Sequence, residues 1–126
     1  MAIILESGEM YLEDILVLKK KSGSVRAIDL ANYMNYSRPS VSRALGILKN
    51  NGFITVDTQG FISLTDAGRA IAEKIYERHT VLSEFFEAIG VERDKAIADA
   101  CKIEHDISDE TFAKIKEHAA KLGSII

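Results

Sequence analysis

The sequence has few of the features that distinguish other classes of protein from ordinary globular proteins. It contains one proline and one cysteine in 126 residues. The scarcity of proline and the lack of low-complexity tracts argue against a disordered chain. A single cysteine cannot form an internal disulfide, so we expect a reducing, cytoplasmic location. The hydrophobic fraction of 47% and the charged fraction of 28% are those of a globular protein with a core.

No hydrophobic run is long enough to cross a membrane. A spanning helix needs about 20 consecutive apolar residues, and the apolar runs in this sequence are much shorter. The opening MAIIL is too short for the apolar centre of a signal peptide and lacks a basic start. We therefore expect no membrane partner, and a length of one domain or of one small domain with a second half docked to it.

Charge is unevenly distributed along the chain. The formal net charge is −3, but residues 15–50 carry seven basic side chains against one acidic side chain, a net charge of +6. Residues 73–110 carry five basic side chains against eleven acidic ones, a net charge of −6. One part of the chain is suited to a polyanion and another to a cation. Solvated helix faces explain the same split, so charge alone decides nothing.

Periodicity predicts a mainly helical (α+β) chain with one β-hairpin. Apolar residues recur at helical spacing in six segments, and FITVD and FISL indicate two strands joined by a turn at 58–60. Ser37, Thr65 and Ser108 each precede a helical segment and are suited to cap it. The predicted helices cover residues 9–20, 26–34, 39–48, 66–88, 92–106 and 109–122, and the predicted strands cover residues 53–57 and 61–64.

The order of the first elements is that of a winged helix-turn-helix: a helix, a short helix, a turn, a second short helix and a hairpin. The second helix of such a motif enters the major groove, so its N-terminal end must be small and polar. The segment SRPSVSR has this character and contains no acidic side chain to repel phosphates. Arg43 is suited to a bidentate contact with guanine O6 and N7.

These features predict a double-stranded DNA operator as partner. The alternative is a protein–protein module, which the basic and polar end of the second helix disfavours. The hairpin tip would contact the DNA backbone or the minor groove as the wing. The candidate DNA-contacting residues are Arg26, Ser37, Arg38, Pro39, Ser40, Ser42, Arg43, Thr58 and Gln59.

A second group of residues indicates a metal site. Cys101, Glu104 and His105 stand at positions i, i+3 and i+4 of a predicted helix, so a thiolate, a carboxylate and an imidazole share one face. Burying a carboxylate beside these groups is costly unless a cation neutralises them. Met10 and Glu13 are also three residues apart, and a lone histidine stands at position 79. Each of these residues, taken alone, is explained as an ordinary structural residue.

Taken together, these motifs resemble one family. The segments EMYLEDI, SRPSVSRAL, FITVD with FISLTDAGR, ERHTVL and DACKIEHDIS are similar, in order and over nearly the whole chain, to the diphtheria toxin repressor / manganese transport regulator family. The resemblance implies a winged-helix DNA-binding domain over residues 1–72 and a helical metal-binding and dimerisation domain over residues 73–126. It also implies a homodimer with Fe²⁺ or Mn²⁺ as co-repressor.

The resemblance implies two sets of metal ligands. Met10, Cys101, Glu104 and His105 match the primary site of the iron-responsive members. Glu13 and His79 match ligands of the second ion in the manganese-responsive members. The chain departs from the iron-responsive pattern at three positions, and the resemblance implies a short form without the C-terminal SH3-like domain of longer members. Those positions are Ser83 and Ile97, where ancillary ligands are usual, and Arg43, where glutamine is frequent.

The donor types favour Fe²⁺ first and Mn²⁺ second, because two sulfur donors suit a softer ion than Mn²⁺. Zn²⁺, Co²⁺ or Ni²⁺ can also occupy such a donor set in vitro. Two other classes of function remain as alternatives. A metal-independent winged-helix regulator would sense an organic ligand or use Cys101 as a redox-reactive thiol. An enzyme would use Glu104 or Glu13 as a general base, but no substrate pocket is evident and we expect no organic substrate.

Overall fold

The computed structural model describes residues 6–125, with side chains described as far as Leu122. These residues form six helices and a two-stranded antiparallel sheet, which confirms the predicted fold class. The chain divides into two compact units, one ending at Glu73 and the other beginning at Lys74. The elements in order are α1 (Glu6–Ser22), α2 (Ala27–Met34), α3 (Arg38–Asn50), β1 (Ile54–Val56), β2 (Ile62–Leu64), α4 (Asp66–Ala88), α5 (Arg93–Ile103) and α6 (Asp109–Ile125).

The N-terminal unit packs three helices and the hairpin around one apolar core. Helix α1 is longer than predicted at both ends, with acidic side chains in its first turn and three lysines in its last turn, where the helix dipole favours them. It ends at Ser22, and the Gly23 that follows has a φ of 82° and an N–H that donates to the Lys19 carbonyl at 2.9 Å. The fully buried core side chains of this unit include Leu12, Ile15, Val25, Leu30, Val41, Ile54 and Ile62.

Helix α3 begins as the sequence predicts. The Ser37 side chain caps it by accepting from the Ser40 backbone N–H at 3.3 Å, and Pro39 lies in the first turn, where no N–H is needed. The turn before it uses Asn35 in a left-handed conformation with φ 58°, which asparagine tolerates better than most residues. The cap and the turn together fix where the polar end of α3 begins.

Both strands are shorter than predicted, at Ile54–Val56 and Ile62–Leu64, although the Asp57 N–H still donates to the Phe61 carbonyl at 3.0 Å beyond them. The Phe53 N–H donates to the Leu48 carbonyl at 3.0 Å, and the Phe53 carbonyl accepts from the Thr65 N–H at 3.1 Å. At the hairpin tip the Asp57 carboxylate accepts from the N–H groups of Gln59 and Phe61, each at 2.9 Å. Asp57 therefore shapes the turn, a role the sequence analysis missed.

The start of α4 packs closely against the hairpin. Thr65 caps the helix as predicted, since its hydroxyl accepts from the Gly68 N–H at 3.2 Å, and the same hydroxyl donates to the Gly52 carbonyl at 2.7 Å. Gly68 is buried, and a Cβ at this position would collide with the Phe53 carbonyl oxygen. The contact between helix and hairpin therefore requires a glycine.

The C-terminal unit packs the later part of α4 against α5 and α6. Its core contains Leu82, Ala100 and Phe112, with partly buried Val81, Phe86, Ile107 and Ile115 around them. Ser108 caps α6 as predicted, accepting from the Thr111 N–H at 3.1 Å. None of the helices formed by residues 6–125 combines the length and the apolarity that crossing a membrane needs.

Helix α5 ends earlier than predicted, at Ile103 rather than near residue 106. Glu104 is its C-cap residue, with helical backbone angles and an N–H that still donates to the Ala100 carbonyl at 3.0 Å. After it the chain tightens, because the Asp106 N–H bonds the Ile103 carbonyl three residues back at 3.0 Å. Cys101 therefore lies on the helix, whereas Glu104 and His105 lie at its end and in the following turn.

Candidate metal centre and nucleic-acid interface

Three candidate ligands of the C-terminal unit meet at one imidazole nitrogen. His79 Nδ1 on α4 lies 2.9 Å from Glu104 Oε2 and 3.7 Å from Cys101 Sγ. One ligand atom from each of the three residues lies within 4.8 Å of the other two. The structure thus places His79, which taken alone was explained as an ordinary structural residue, next to two members of the C-x-x-E-H motif.

The Glu104 carboxylate is deeply buried between two imidazoles. The residue is 2% exposed, and its second oxygen lies 3.5 Å from His105 Nε2, on a side chain that is only 4% exposed. Hydrogen bonding to Cys101 and to Glu104 raises the pKa of His79 to about 10, against the opposing effect of burial. At neutral pH the protonated imidazole therefore balances the buried carboxylate.

The donor set fits a divalent transition metal. A cation bound at about 2.0–2.3 Å to each ligand leaves the ligand atoms up to roughly 4.6 Å apart, and the distances of 2.9 Å and 3.7 Å from His79 Nδ1 to Glu104 Oε2 and Cys101 Sγ lie below that limit. The three donor atoms are an imidazole nitrogen, a sulfur and a carboxylate oxygen, the set that borderline ions accept. Binding would release the proton held by His79. His79, Cys101 and Glu104 would hold the ion.

Arg78, whose role the sequence did not indicate, fixes the turn that carries the candidate ligands. Its side chain is 6% exposed, and Nη1 donates to the carbonyls of Glu104 at 3.0 Å and of Ile107 at 2.7 Å. Nη2 pairs with the Asp109 carboxylate at the start of α6. The guanidinium thus occupies carbonyls that the end of α5 leaves free. No local sequence pattern indicates this role, because the two carbonyl partners lie 26 and 29 residues further along the chain.

The two remaining candidate ligands lie on α1, in the N-terminal unit. Met10 and Glu13 are three residues apart and so lie on one side of the helix. Met10 is half-buried and Glu13 is 7% exposed. Their assignment as metal ligands stays a prediction.

The positions where iron-responsive members place ancillary ligands offer none here. Ser83 and Ile97 line a cavity of about 270 Å³ together with His79. The Ser83 hydroxyl is buried and has no hydrogen-bond partner among the described residues. A serine and an isoleucine do not supply the side chains that such a second site uses.

The polar residues of α3 lie on an exposed, basic surface. Val41, Leu45 and Leu48 are buried, which turns the opposite side of the helix to solvent. Ser37 and Ser40 are linked by a hydroxyl–hydroxyl hydrogen bond of 2.8 Å. The candidate DNA-contacting residues of this segment, all of them exposed, are Ser37, Arg38, Pro39, Ser40, Ser42 and Arg43.

The other DNA-contacting candidates lie in and beside the wing. Thr58 and Gln59 are exposed at the hairpin tip. Arg26 is exposed and lies before α2, with its guanidinium carbon 4.2 Å from the centre of the Phe61 ring and its backbone N–H donating to the Asp29 carboxylate at 2.9 Å. Arg26 thus has a structural contact of its own, and contact of these residues with DNA stays a prediction.

A winged-helix unit with an exposed basic helix, followed by a helical unit that gathers imidazole, thiol and carboxylate, defines the class of metal-responsive DNA-binding regulators. Residues 4–60 match the family described as iron dependent repressor, N-terminal DNA binding domain. Residues 65–123 match the iron dependent repressor, metal binding and dimerisation domain. The chain belongs to this family of metal-dependent transcriptional repressors, which confirms the resemblance and the expected kinds of cofactor and partner.

Individual relatives agree with this assignment. An uncharacterized HTH-type transcriptional regulator of Methanocaldococcus jannaschii is 31% identical over 113 residues, covering 88% of this chain and 90% of that protein. The transcriptional regulator MntR of Escherichia coli is 31% identical over 114 residues, covering 90% and 74%. A solved manganese-dependent transcriptional repressor in complex with manganese is 29% identical, with a TM-score of 0.80, covering 92% of this chain. The chain spans 52% of that solved protein, about half its length.

Proposed function

We propose that this chain is a cytoplasmic, homodimeric repressor that binds operator DNA when loaded with Fe²⁺, or secondarily with Mn²⁺, and so controls metal homeostasis. The observation that carries this proposal is the convergence of His79, Cys101 and Glu104 within 4.8 Å. These residues lie in a chain whose N-terminal part matches a DNA-binding domain. Metal sensing and DNA binding are thus combined in one polypeptide.

The exposed surface of α3 supports DNA binding. The helix contains two arginines and a lysine and no acidic residue, so nothing on it repels phosphates. We assign base contact to Arg43, whose guanidinium matches guanine O6 and N7, and phosphate contact to Arg38. Thr58 and Gln59 would contact the backbone or the minor groove.

Sulfur among the donors supports Fe²⁺ as the first metal. Mn²⁺ prefers oxygen and imidazole ligands, whereas thiolates and thioethers favour softer ions. Cys101 supplies one sulfur in the observed cluster, and the family resemblance adds Met10. Similarity to manganese regulators is the reason to keep Mn²⁺ as the second metal.

The regulatory step that we propose is a metal-dependent link between α1 and the C-terminal unit. The family resemblance assigns Met10 and Glu13 to the same metal chemistry as His79, Cys101 and Glu104. A bound cation would neutralise the carboxylates of both groups and restrain the recognition helices of the dimer. Two operator half-sites about one helical turn apart would then be contacted together.

The test is DNA affinity measured with and without metal on one sample. The protein is purified without oxygen and its metal content is determined. Binding to DNA is then followed by fluorescence anisotropy in the presence of Fe²⁺ or of a chelator. We expect binding at least tenfold tighter with Fe²⁺, and equal affinity in the two states would remove the proposed switch.

A redox sensor is the second candidate, because Cys101 is exposed and its sulfur lies 3.7 Å from His79 Nδ1. An exposed thiol is accessible to oxidants. Cys101→Ser distinguishes the two functions. Loss of the metal response with no change in the oxidant response supports the metal sensor, and the reverse result supports the redox sensor.

A further inference from the structure

We propose that Gly46 is the point of closest approach between α3 and the DNA, and that its missing side chain lets this helix lie deep in the major groove. The inference rests on the DNA-binding function proposed above. It concerns a residue in a helix interior whose identity as glycine is not explained by any contact among the described residues.

Gly46 makes α3 less stable, and no packing contact among the described residues compensates for this. It lies within the helix (Arg38–Asn50), where glycine is less stabilising than alanine. Its backbone is not among the positive-φ glycines, so an L-residue would adopt the same conformation. A Cβ placed on Gly46 would meet no described atom within 4 Å. The space beside it is open.

The other glycines with described surroundings have an internal reason to be glycine. Gly23, Gly52, Gly60 and Gly90 have φ values between 81° and 108°, where a side chain causes strain. Gly68 has a helical backbone but is held against the Phe53 carbonyl oxygen. Among the glycines whose surroundings the structure describes, Gly46 alone combines an ordinary helical backbone with open space.

Gly46 lies on the surface of α3 that carries Arg43. Positions 43, 46, 47 and 50 follow helical spacing and share one side, and all four are exposed. A helix that contacts base edges must bring its backbone close to the groove floor. A side chain at Gly46, one turn after Arg43, would hold this part of the helix away from the bases.

The experiment compares Gly46→Ala and Gly46→Leu with the wild-type chain. The probe is a duplex that the wild-type protein selects from a randomised pool in the presence of Fe²⁺ under anaerobic conditions. We expect Gly46→Ala to raise the midpoint of thermal unfolding by about 2–6 °C and to weaken binding to this duplex about tenfold. Gly46→Leu should weaken it at least a hundredfold.

Two controls separate groove contact from other effects. Ala70→Leu adds comparable bulk at an exposed position of α4 and should leave affinity within twofold of wild type. Binding to an unrelated duplex of the same length depends on phosphate contacts, so the Gly46 variants should retain it.

The outcomes distinguish this inference from the function on which it rests. If the wild-type protein selects no duplex, the proposed function fails and the inference fails with it. If the wild type selects a duplex that both Gly46 variants bind equally well, only the inference is overturned. Because Gly46→Ala is expected to be the more stable protein, a folding failure of Gly46→Leu leaves the alanine variant to decide.

Discussion

At the scale of single residues, the same glycine-to-alanine change has opposite expected effects at two positions. Gly68→Ala should lower the free energy of unfolding by about 2 kcal/mol or more, because the new methyl group would collide with the Phe53 backbone. Urea unfolding of the metal-free protein measures this change. Gly46→Ala is the matched control and should be more stable than wild type, so equal effects of the two substitutions would contradict the close approach of α4 to the hairpin.

We expect substitution of Cys101 to change the metal preference. Cys101→Glu replaces sulfur by a carboxylate and should shift the metal response toward Mn²⁺, because Mn²⁺ prefers oxygen ligands. The measurement is DNA affinity titrated with Fe²⁺ and with Mn²⁺ under anaerobic conditions. An unchanged ratio of the two responses would count against Cys101 as a ligand. Asp99→Glu, at another exposed position of α5, controls for substitution on this helix.

At the scale of elements, α3 separates its stabilising side chains from those available to DNA. Arg43 is exposed while Val41 and Leu45 are buried, so Arg43→Ala should leave the thermal midpoint nearly unchanged. It should weaken operator binding by about 1–3 kcal/mol, roughly 5- to 150-fold, through loss of a bidentate base contact. Anisotropy with the metal-loaded protein measures this. Arg69→Ala removes an exposed arginine outside α3, and an equal loss there would make the effect one of charge alone.

The junction of α4 and α6 predicts a specific acid sensitivity. Lys74 first, and Arg78 second, hold the pKa of Asp109 below its usual value. A lowered folded pKa means that this contribution to stability is present above the unfolded pKa of about 3.9 and is lost as pH falls through the folded pKa. Asp109→Asn should therefore be less stable than wild type at neutral pH, and the difference should shrink below about pH 4.

Thermal unfolding of the metal-free protein between pH 7 and pH 3 tests this expectation. Asp99→Asn, at an exposed position of α5, serves as the control and should show no comparable convergence with wild type at low pH. A stability difference between wild type and Asp109→Asn that stays constant across this range would exclude the ion pairs as its cause.

The elements themselves were largely predictable, and their ends were not. Apolar spacing located all six helices, and the caps at Ser37, Thr65 and Ser108 are local signals that need no tertiary information. The end of α5 was misplaced because the carbonyls of Glu104 and Ile107 are satisfied by an arginine about 26 residues earlier in the chain. Such a partner leaves no trace in local periodicity.

At the scale of the whole molecule, metal binding should be visible as stability. A ligand that binds only the folded state adds about 2.7 kcal/mol when its free concentration is 100 times its dissociation constant. Mn²⁺ should therefore raise the thermal midpoint of the wild-type protein by several degrees. Glu104→Gln should abolish this rise, because it replaces the buried carboxylate of a candidate ligand by an amide.

The control for this experiment is Glu110→Gln, which neutralises an exposed carboxylate of the same unit and should preserve the response to Mn²⁺. A stabilisation by metal that survives in Glu104→Gln would exclude the His79–Cys101–Glu104 cluster as its source.

The candidate site was predictable to different degrees in its different parts. A candidate ligand motif is indicated by the types and spacing of three residues within five positions, Cys101, Glu104 and His105. His79 was assigned by family resemblance, and its 2.9 Å contact with Glu104 depends on how α4 packs. Arg78 was missed because a buried arginine looks like any surface arginine in the sequence. Packing, which turns chemistry-bearing residues into a site, is the part that local patterns do not encode.

The Arg78 guanidinium has a practical consequence for redesigning the sensor. It donates hydrogen bonds to two main-chain carbonyls of the turn that carries the candidate ligands and to the carboxylate of the first residue of α6, so the length of that turn is fixed by one rigid guanidinium group. The metal response should therefore be altered by substituting side chains, while the length of the turn is kept. Adding or deleting even one residue between positions 103 and 109 would break the hydrogen bonds of the Arg78 guanidinium and disrupt the candidate site.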